Sequence, residues 1–344
     1  MLPKSPRAKR SIGALRRAVN WTIDSDILDG SQEASMDENQ GQAKRRIPPE
    51  AVDLYTRYIH GEVSRRDFLK GINRFTVAGL SAAAIVEALM PNYALGQQVR
   101  KDDERITASY ETIPSPNGNG KIRGYFVRPF SQTTRSEVPT KLPAVLVIHE
   151  NRGLNPHTED VARRFALENF IAFAPDALTS VGGYPSDDFK GGQLFAKIDR
   201  PKMTQDFVAS AQWLKAHALG NGKVCATGFC FGGGMCNTLA TILGADLAAA
   251  APFYGGAPPA EEVPKIKAAI LVHHGALDAG LVKAYPAYEA ELKKNNIPYE
   301  GHIWPNSVHG FFNDATPERY NKETAAQAWT RTIAWFNQYA RPSS

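Results

Sequence analysis

Several things are scarce in this chain, and each scarcity removes a class of protein. Only three cysteines occur in 344 residues. They are Cys225, Cys230 and Cys236, and an odd count leaves at least one thiol free in a monomer. Their spacing, with no second ligand cluster nearby, argues against a zinc site. No apolar run of roughly 18 residues lies in the main body, so no membrane span is expected there. A dominant charge of one sign is missing too. The formal net charge is only +5, and neither the first hundred residues nor the remainder forms the basic footprint of a nucleic-acid binder. No internal repeat is present. What the chain does have is a 43% hydrophobic composition, enough for a sizeable core in one large domain or two ordinary ones.

The first hundred residues stand apart. Residues 1–50 are polar, rich in Lys, Arg, Ser, Gln and Pro, and without sustained periodicity, so they are expected to be largely disordered. Residues 50–60 are predicted to form a short amphipathic helix. Ser64-Arg65-Arg66-Asp67-Phe68-Leu69-Lys70 looks like a twin-arginine export signal. A mildly apolar stretch from Phe75 to Met90 follows, then a small-residue region at Ala94-Leu95-Gly96. Charged, apolar and small-residue regions in that order are what a removable signal requires. Arg74 and Glu87 interrupt the apolar part and make it a poor transmembrane helix. The expectation is an N-terminal extension, 1–96, with its signal segment at 64–96, served by twin-arginine export machinery and delivering the protein to the periplasm or outside. The long leader and the internal Met36 hold open a different start. The alternative is a helix docked on the rest of the protein, with solvated arginines and a cytoplasmic location.

From 97 to 344 the texture is that of a single domain. Arg105–Ile113 and Lys121–Arg128 alternate around a turn at 114–120 and read as a hairpin. Buried-type strands are predicted at Ala144–His149, Phe170–Ala174, Val224–Thr227, Leu247–Tyr254, Ala268–His273 and Tyr299–Trp304. Helices are predicted at Pro156–Asn169 with Asn155 as N-cap, Asp187–Ile198, Pro201–Ala218, Gly232–Leu243, Leu281–Asn295 and Lys322–Tyr339. Alternation of this kind implies an α/β fold, a mostly parallel sheet covered by helices on both faces. Functional sites in such sheets gather beyond the carboxyl ends of the strands.

Gly228-Phe229-Cys230-Phe231-Gly232-Gly233 closes one such strand and opens a helix. It has the form of a nucleophile elbow, G-x-S-x-G, with cysteine in the nucleophile's place. A helix start favours the thiolate. The amide of Phe231 is one candidate oxyanion donor, and the amide of Asn151, after the strand ending at His149, is the other. Asp278 and His309 follow later strands, in the order that delivers nucleophile, acid and base in α/β-hydrolases. Competing readings are a buried cysteine for Cys230, a helix N-cap for Asp278 and a surface-loop residue for His309. His149, His273 and His274 end strands and are candidates to line the cleft.

The cysteine elbow, Val147-Ile-His-Glu-Asn-Arg-Gly-Leu-Asn155, Phe173-Ala-Pro-Asp176 and Val308-His-Gly-Phe311 together resemble the dienelactone hydrolase family, over roughly residues 105–340. The resemblance implies an α/β-hydrolase fold and a carboxylic ester hydrolase acting on a small ester or lactone without metal or organic cofactor. It also implies that Glu150 contacts the resting cysteine and is displaced by substrate, helping to form the thiolate; the competing reading pairs Glu150 with Arg152. Family members carry a substrate-gripping arginine four residues after the base. Asn313 stands there, and Arg152 is the candidate replacement. A thioesterase or peptidase on the same scaffold, and a non-catalytic redox-sensing or binding protein, are the rival functions.

Overall fold

The computed structural model describes residues 47–59, 61–76, 81–130 and 141–341. Of residues 1–50, expected to be largely disordered, 1–46 lie outside the described residues, whereas Pro49 and Glu50 already belong to a helix. Arg46–Ser344 forms one compact unit. It opens with four short helices, α1 (Pro49–Ile59), α2 (Arg65–Ile72), α3 (Ala82–Leu89) and α4 (Tyr93–Gly96). The predicted amphipathic helix is α1, with Ala51, Val52, Tyr55 and Ile59 buried along one stripe. Within the apolar stretch Phe75–Met90, Ser81 caps the eight-residue α3 by accepting a hydrogen bond from the Ala84 amide at 3.2 Å. Helices α1, α2 and α3 share a small core of their own, in which Tyr55, Phe68, Ile72, Ile85 and Leu89 meet.

The main body follows as β1 (Ile106–Ser115), β2 (Gly120–Pro129), β3 (Leu142–Ile148), α5 (Pro156–Leu167), β4 (Ile171–Pro175), α6 (Asp188–Phe195), α7 (Arg200–Ala216), β5 (Gly220–Phe229), α8 (Phe231–Leu243), β6 (Ala249–Phe253), β7 (Ala269–Gly275), α9 (Ala279–Lys294), β8 (Tyr299–Trp304) and α10 (Lys322–Ala340). The eight strands form one sheet in the order β1-β2-β4-β3-β5-β6-β7-β8. The β1–β2 hairpin joins antiparallel, and all other pairings from β4 to β8 are parallel.

Successive side chains in a strand point to opposite faces, so a sheet covered on both sides needs strands that are apolar at every position. In β3, Ala144, Leu146 and Ile148 enter the core under α7, α8 and α9, while Val145 and Val147 enter the one under α5 and α10. The second core is held by ring contacts. Phe336 of α10 lies 5.9 Å from Phe165 and 6.4 Å from Phe170, centroid to centroid, and is fully buried. Phe336→Ala is expected to cost about 3–5 kcal/mol, read as a lower urea midpoint with an unchanged slope.

Candidate active site

β5 ends at Phe229 and α8 begins at Phe231, so Cys230 carries the whole change of direction. Its backbone stands at φ 55° and ψ −113°, a strained setting for a residue with a Cβ. The strain is held from both sides. The Cys230 amide donates to the Phe253 carbonyl at 3.1 Å, and the Cys230 carbonyl accepts from the Gly234 amide at 3.1 Å. The elbow also presses on its own helix and on β3. A Cβ at Gly228 would lie 2.3 Å from the Gly232 carbonyl oxygen, and one at Gly232 would lie 2.3 Å from that of Ile148. Only glycine fits at either position. Cys225 and Cys236 are buried in the strand and helix beside it, and burial pushes both thiols up. Cys230 is the half-exposed one, the difference expected between a reactive and a structural thiol.

His309 is brought to the sulfur by the loop after β8. Its Nδ1 lies 2.6 Å from Oδ2 of Asp278, and its ring also hydrogen-bonds to Cys230. With Nδ1 taken by the carboxylate, Nε2 is left for the sulfur. Asp278 occupies the N-cap position of α9, as the structural reading expected, but its carboxylate is turned to His309. Burial alone would push the Asp278 carboxyl up; the hydrogen bond and charge of His309 outweigh it and hold it below the usual range. For His309, burial would lower the pKa, yet the Cys230 sulfur and the Asp278 carboxylate lift it to about 10. Three side chains distant in sequence therefore meet at one strand end.

A consequence for stability follows by linkage. The folded-state pKa of His309 lies above its ordinary 6.5, so its contribution is fully present below that value and is lost as pH rises toward 10. The urea midpoint is expected to fall across this window. The fall should be flatter in His309→Ala, which a pair of denaturation series from pH 6.5 to 10 measures.

The loop after β3 carries the other predicted residues. Glu150 is buried, with one carboxylate oxygen lacking a hydrogen-bond partner. No ion pair joins it to Arg152 among the described residues. The Arg152 side chain donates instead to the Asp188 carbonyl at 3.3 Å and does not line the cavity at Cys230. The Asn151 side chain donates to the Ile59 carbonyl at the end of α1. His149 is fully buried rather than in the cleft: its Nε2 accepts from the Ala177 amide at 3.1 Å, which leaves the Nδ1 proton to donate to the Glu150 carbonyl at 2.5 Å. Burial keeps this imidazole neutral by lowering its pKa. His273 is buried against Thr332 and Trp304, and His274 against Tyr285; neither lines the cavity. Asn313 is buried and shapes its own loop, its side chain accepting from the Ala315 amide at 3.1 Å.

Two residues carried no signal in the sequence. Tyr254, at φ 37°, packs its ring 4.9 Å from that of His309, and its buried hydroxyl has no partner. Burial, with the charges of Glu150 and Cys230, pushes that hydroxyl well up, so it stays protonated as a donor. Arg319 is 5% exposed, lies against Gly310, and has Nε and one terminal nitrogen without partners. Its place in a loop between a turn and a helix gives no pattern to read.

Cys230, Asp278, His309 and Tyr254 open into a cavity of about 510 Å³ whose floor is the start of α8 and whose rim includes Glu62, between α1 and α2. His309, Asp278 and Glu62 also line a larger groove of about 1210 Å³ that reaches Arg319. A family model described as the dienelactone hydrolase family matches residues 127–340. The chain belongs to the dienelactone hydrolase family. It is therefore a member of a family of hydrolases with an α/β-hydrolase fold.

A second model, described as YqhI-like, matches residues 39–73, the segment that contains α1 and α2. Among similar proteins, a putative hydrolase fragment, YghX, of Escherichia coli K12 is 52% identical over 120 residues, covering 35% of this chain and 97% of its own. A putative carboxymethylenebutenolidase of Saccharolobus solfataricus is 30% identical, over 58% of this chain and 90% of its own. The solved structure of a putative dienelactone hydrolase from Klebsiella pneumoniae superposes with a TM-score of 0.59 at 28% identity, covering 68% of this chain and 99% of that one.

Proposed function

We propose that this hydrolase cleaves a small ester or lactone through a Cys230 thiolate, with His309 as proton carrier and Asp278 as its orienter. The observation that supports this most is the 2.6 Å bond from His309 to Asp278 beneath a ring that also bonds Cys230. The thiolate attacks the carbonyl carbon, and the tetrahedral oxyanion is met by the Phe231 and Asn151 amides. The C–O bond to the leaving alcohol breaks, and the His309 imidazolium protonates the alkoxide. Acylation then removes the negative sulfur that had lifted His309, while burial continues to lower it. The ring becomes the neutral base that deacylation needs. It takes a proton from water, hydroxide attacks the thioester, and the thiolate leaves as the acid forms. The same pair of neighbours thus sets the imidazole charged for one half-reaction and neutral for the other.

Glu150 supports a resting contact with the nucleophile through its buried carboxylate and partnerless oxygen. Arg319, with free donors on the groove that also includes His309, is better placed than Arg152 to meet a polar part of the substrate. Incubation with a slow ester and intact-mass analysis tests the reading. An acyl adduct confined to Cys230 is expected; oxygen adducts alone would favour a redox sensor, and a panel of thioesters and peptides separates the rival hydrolases. Cys230→Ser should keep a weakened, nonzero rate, since Glu150 is tuned to a thiol. For location, the Ser64–Lys70 pattern supports a proposal of twin-arginine export, and protein confined to the cytoplasm on fractionation would end it.

A further inference from the structure

The pattern that resembles an export signal has a second, purely structural use. Ser64 caps α2, its hydroxyl accepting from the Asp67 amide at 3.2 Å and donating to the Asp67 carboxylate at 2.6 Å. Phe68 is buried and stacks on Tyr58 with centroids 4.6 Å apart. Arg65 lies 4.3 Å above the ring of Phe189 at the start of α6, in the hydrolase body. Even the small-residue region is built in. Gly96 is buried, a Cβ there would lie 2.5 Å from the Ala315 nitrogen, and the Asn92 amide donates to the Ala315 carbonyl at 2.5 Å. Tyr93 donates to the Asp188 carboxylate at 2.7 Å.

These contacts converge on the catalytic loops. The Ile59 carbonyl receives the Asn151 side chain, whose own backbone amide is the candidate oxyanion donor. The Tyr55 ring lies 5.3 Å under the Arg319 guanidinium. Glu62 borders both the cavity of Cys230 and the groove beyond it.

We propose that helices α1 to α4 are a permanent cap on the active site, one that walls the substrate cleft and clamps the loop carrying Asn151. This rests on the hydrolase reading for its kinetic consequence but not for its geometry. The chain is retained through Gly96 in the working enzyme, whether or not it is exported. Loss of the wall acts on substrate binding, and loss of the clamp acts on the oxyanion geometry, where a misplacement near 1 Å costs about 100-fold.

Two measurements on the full chain test it. Intact mass and N-terminal sequencing of purified active enzyme should find α1 to α4 present. An active species that begins after Gly96 with undiminished kcat/KM overturns the proposal. Phe68→Asp puts a carboxylate into the cap's separate core, which cannot absorb it. It should raise KM and lower kcat, each by about tenfold or more, and speed alkylation of Cys230 by iodoacetamide, with the main thermal transition of the body retained. Unchanged kcat and KM overturn the proposal. The alkylation rate keeps the two readings apart, because faster alkylation reports an opened cap even if no ester is ever turned over.

Discussion

Cys230→Ala should abolish turnover of an activated ester, with a loss on the order of 10⁵-fold or more, the scale on which removing a nucleophile acts. No neighbouring group can take its place: Cys225 and Cys236 are buried with their thiols pushed up, away from the thiolate. The fold should be retained, because the sulfur is only half-buried and alanine inherits the same backbone strain, but the part of the His309 contribution to stability that the sulfur sustains should be lost. The variant carries a second signature. Without the sulfur, burial is opposed only by Asp278, so the His309 pKa should drop well below about 10, followed by NMR of the imidazole. Turnover that survives in this variant would refute the nucleophile assignment.

Asp278→Asn should lower kcat by about 10⁴-fold with a far smaller change in KM. The carboxylate accepts the Nδ1 proton and so keeps Nε2 facing the sulfur. An amide nitrogen in its place donates, which favours the tautomer with its proton on Nε2 and leaves no base where one is needed. The variant also loses the negative charge that helps to keep His309 protonated. Its stability advantage near neutral pH over alkaline pH should therefore shrink. A variant with near-normal kcat would mean that Asp278 is not the group that orients His309.

The parts of the site legible in advance were those written in local pattern. A glycine-flanked cysteine between an apolar run and a helix announces a strained turn, because only small residues allow the approaches of Gly228 and Gly232 to backbone oxygens. The strand ends carrying Asp278 and His309 could be placed because continuous apolar segments mark strands covered on both faces. The three histidines ending strands could not be sorted this way. His149, His273 and His274 share the sequence setting of cleft residues, yet their side chains turn into the core. Tyr254 and Arg319 were silent for the same reason, since a partnerless buried donor is a property of what surrounds it. Asn313 could be seen as a departure, but its part in its own loop could not.

By itself the sequence determined the strand and helix order of residues 97–344, the two-sided core and the elbow, since each follows from side-chain periodicity and the backbone freedom of glycine within a few residues. Which charges face one another was decided by the tertiary structure. The sheet order sets β5, β6, β7 and β8 side by side, and only that brings an acid and a base, 31 positions apart, to one sulfur. The same holds for the N-terminal helices. A capped, amphipathic stretch reads alike whether it is a leader or a lid, because its local chemistry is identical. Contacts such as Asn151 with Ile59 and Gly96 with Ala315 exist only once distant segments are packed together.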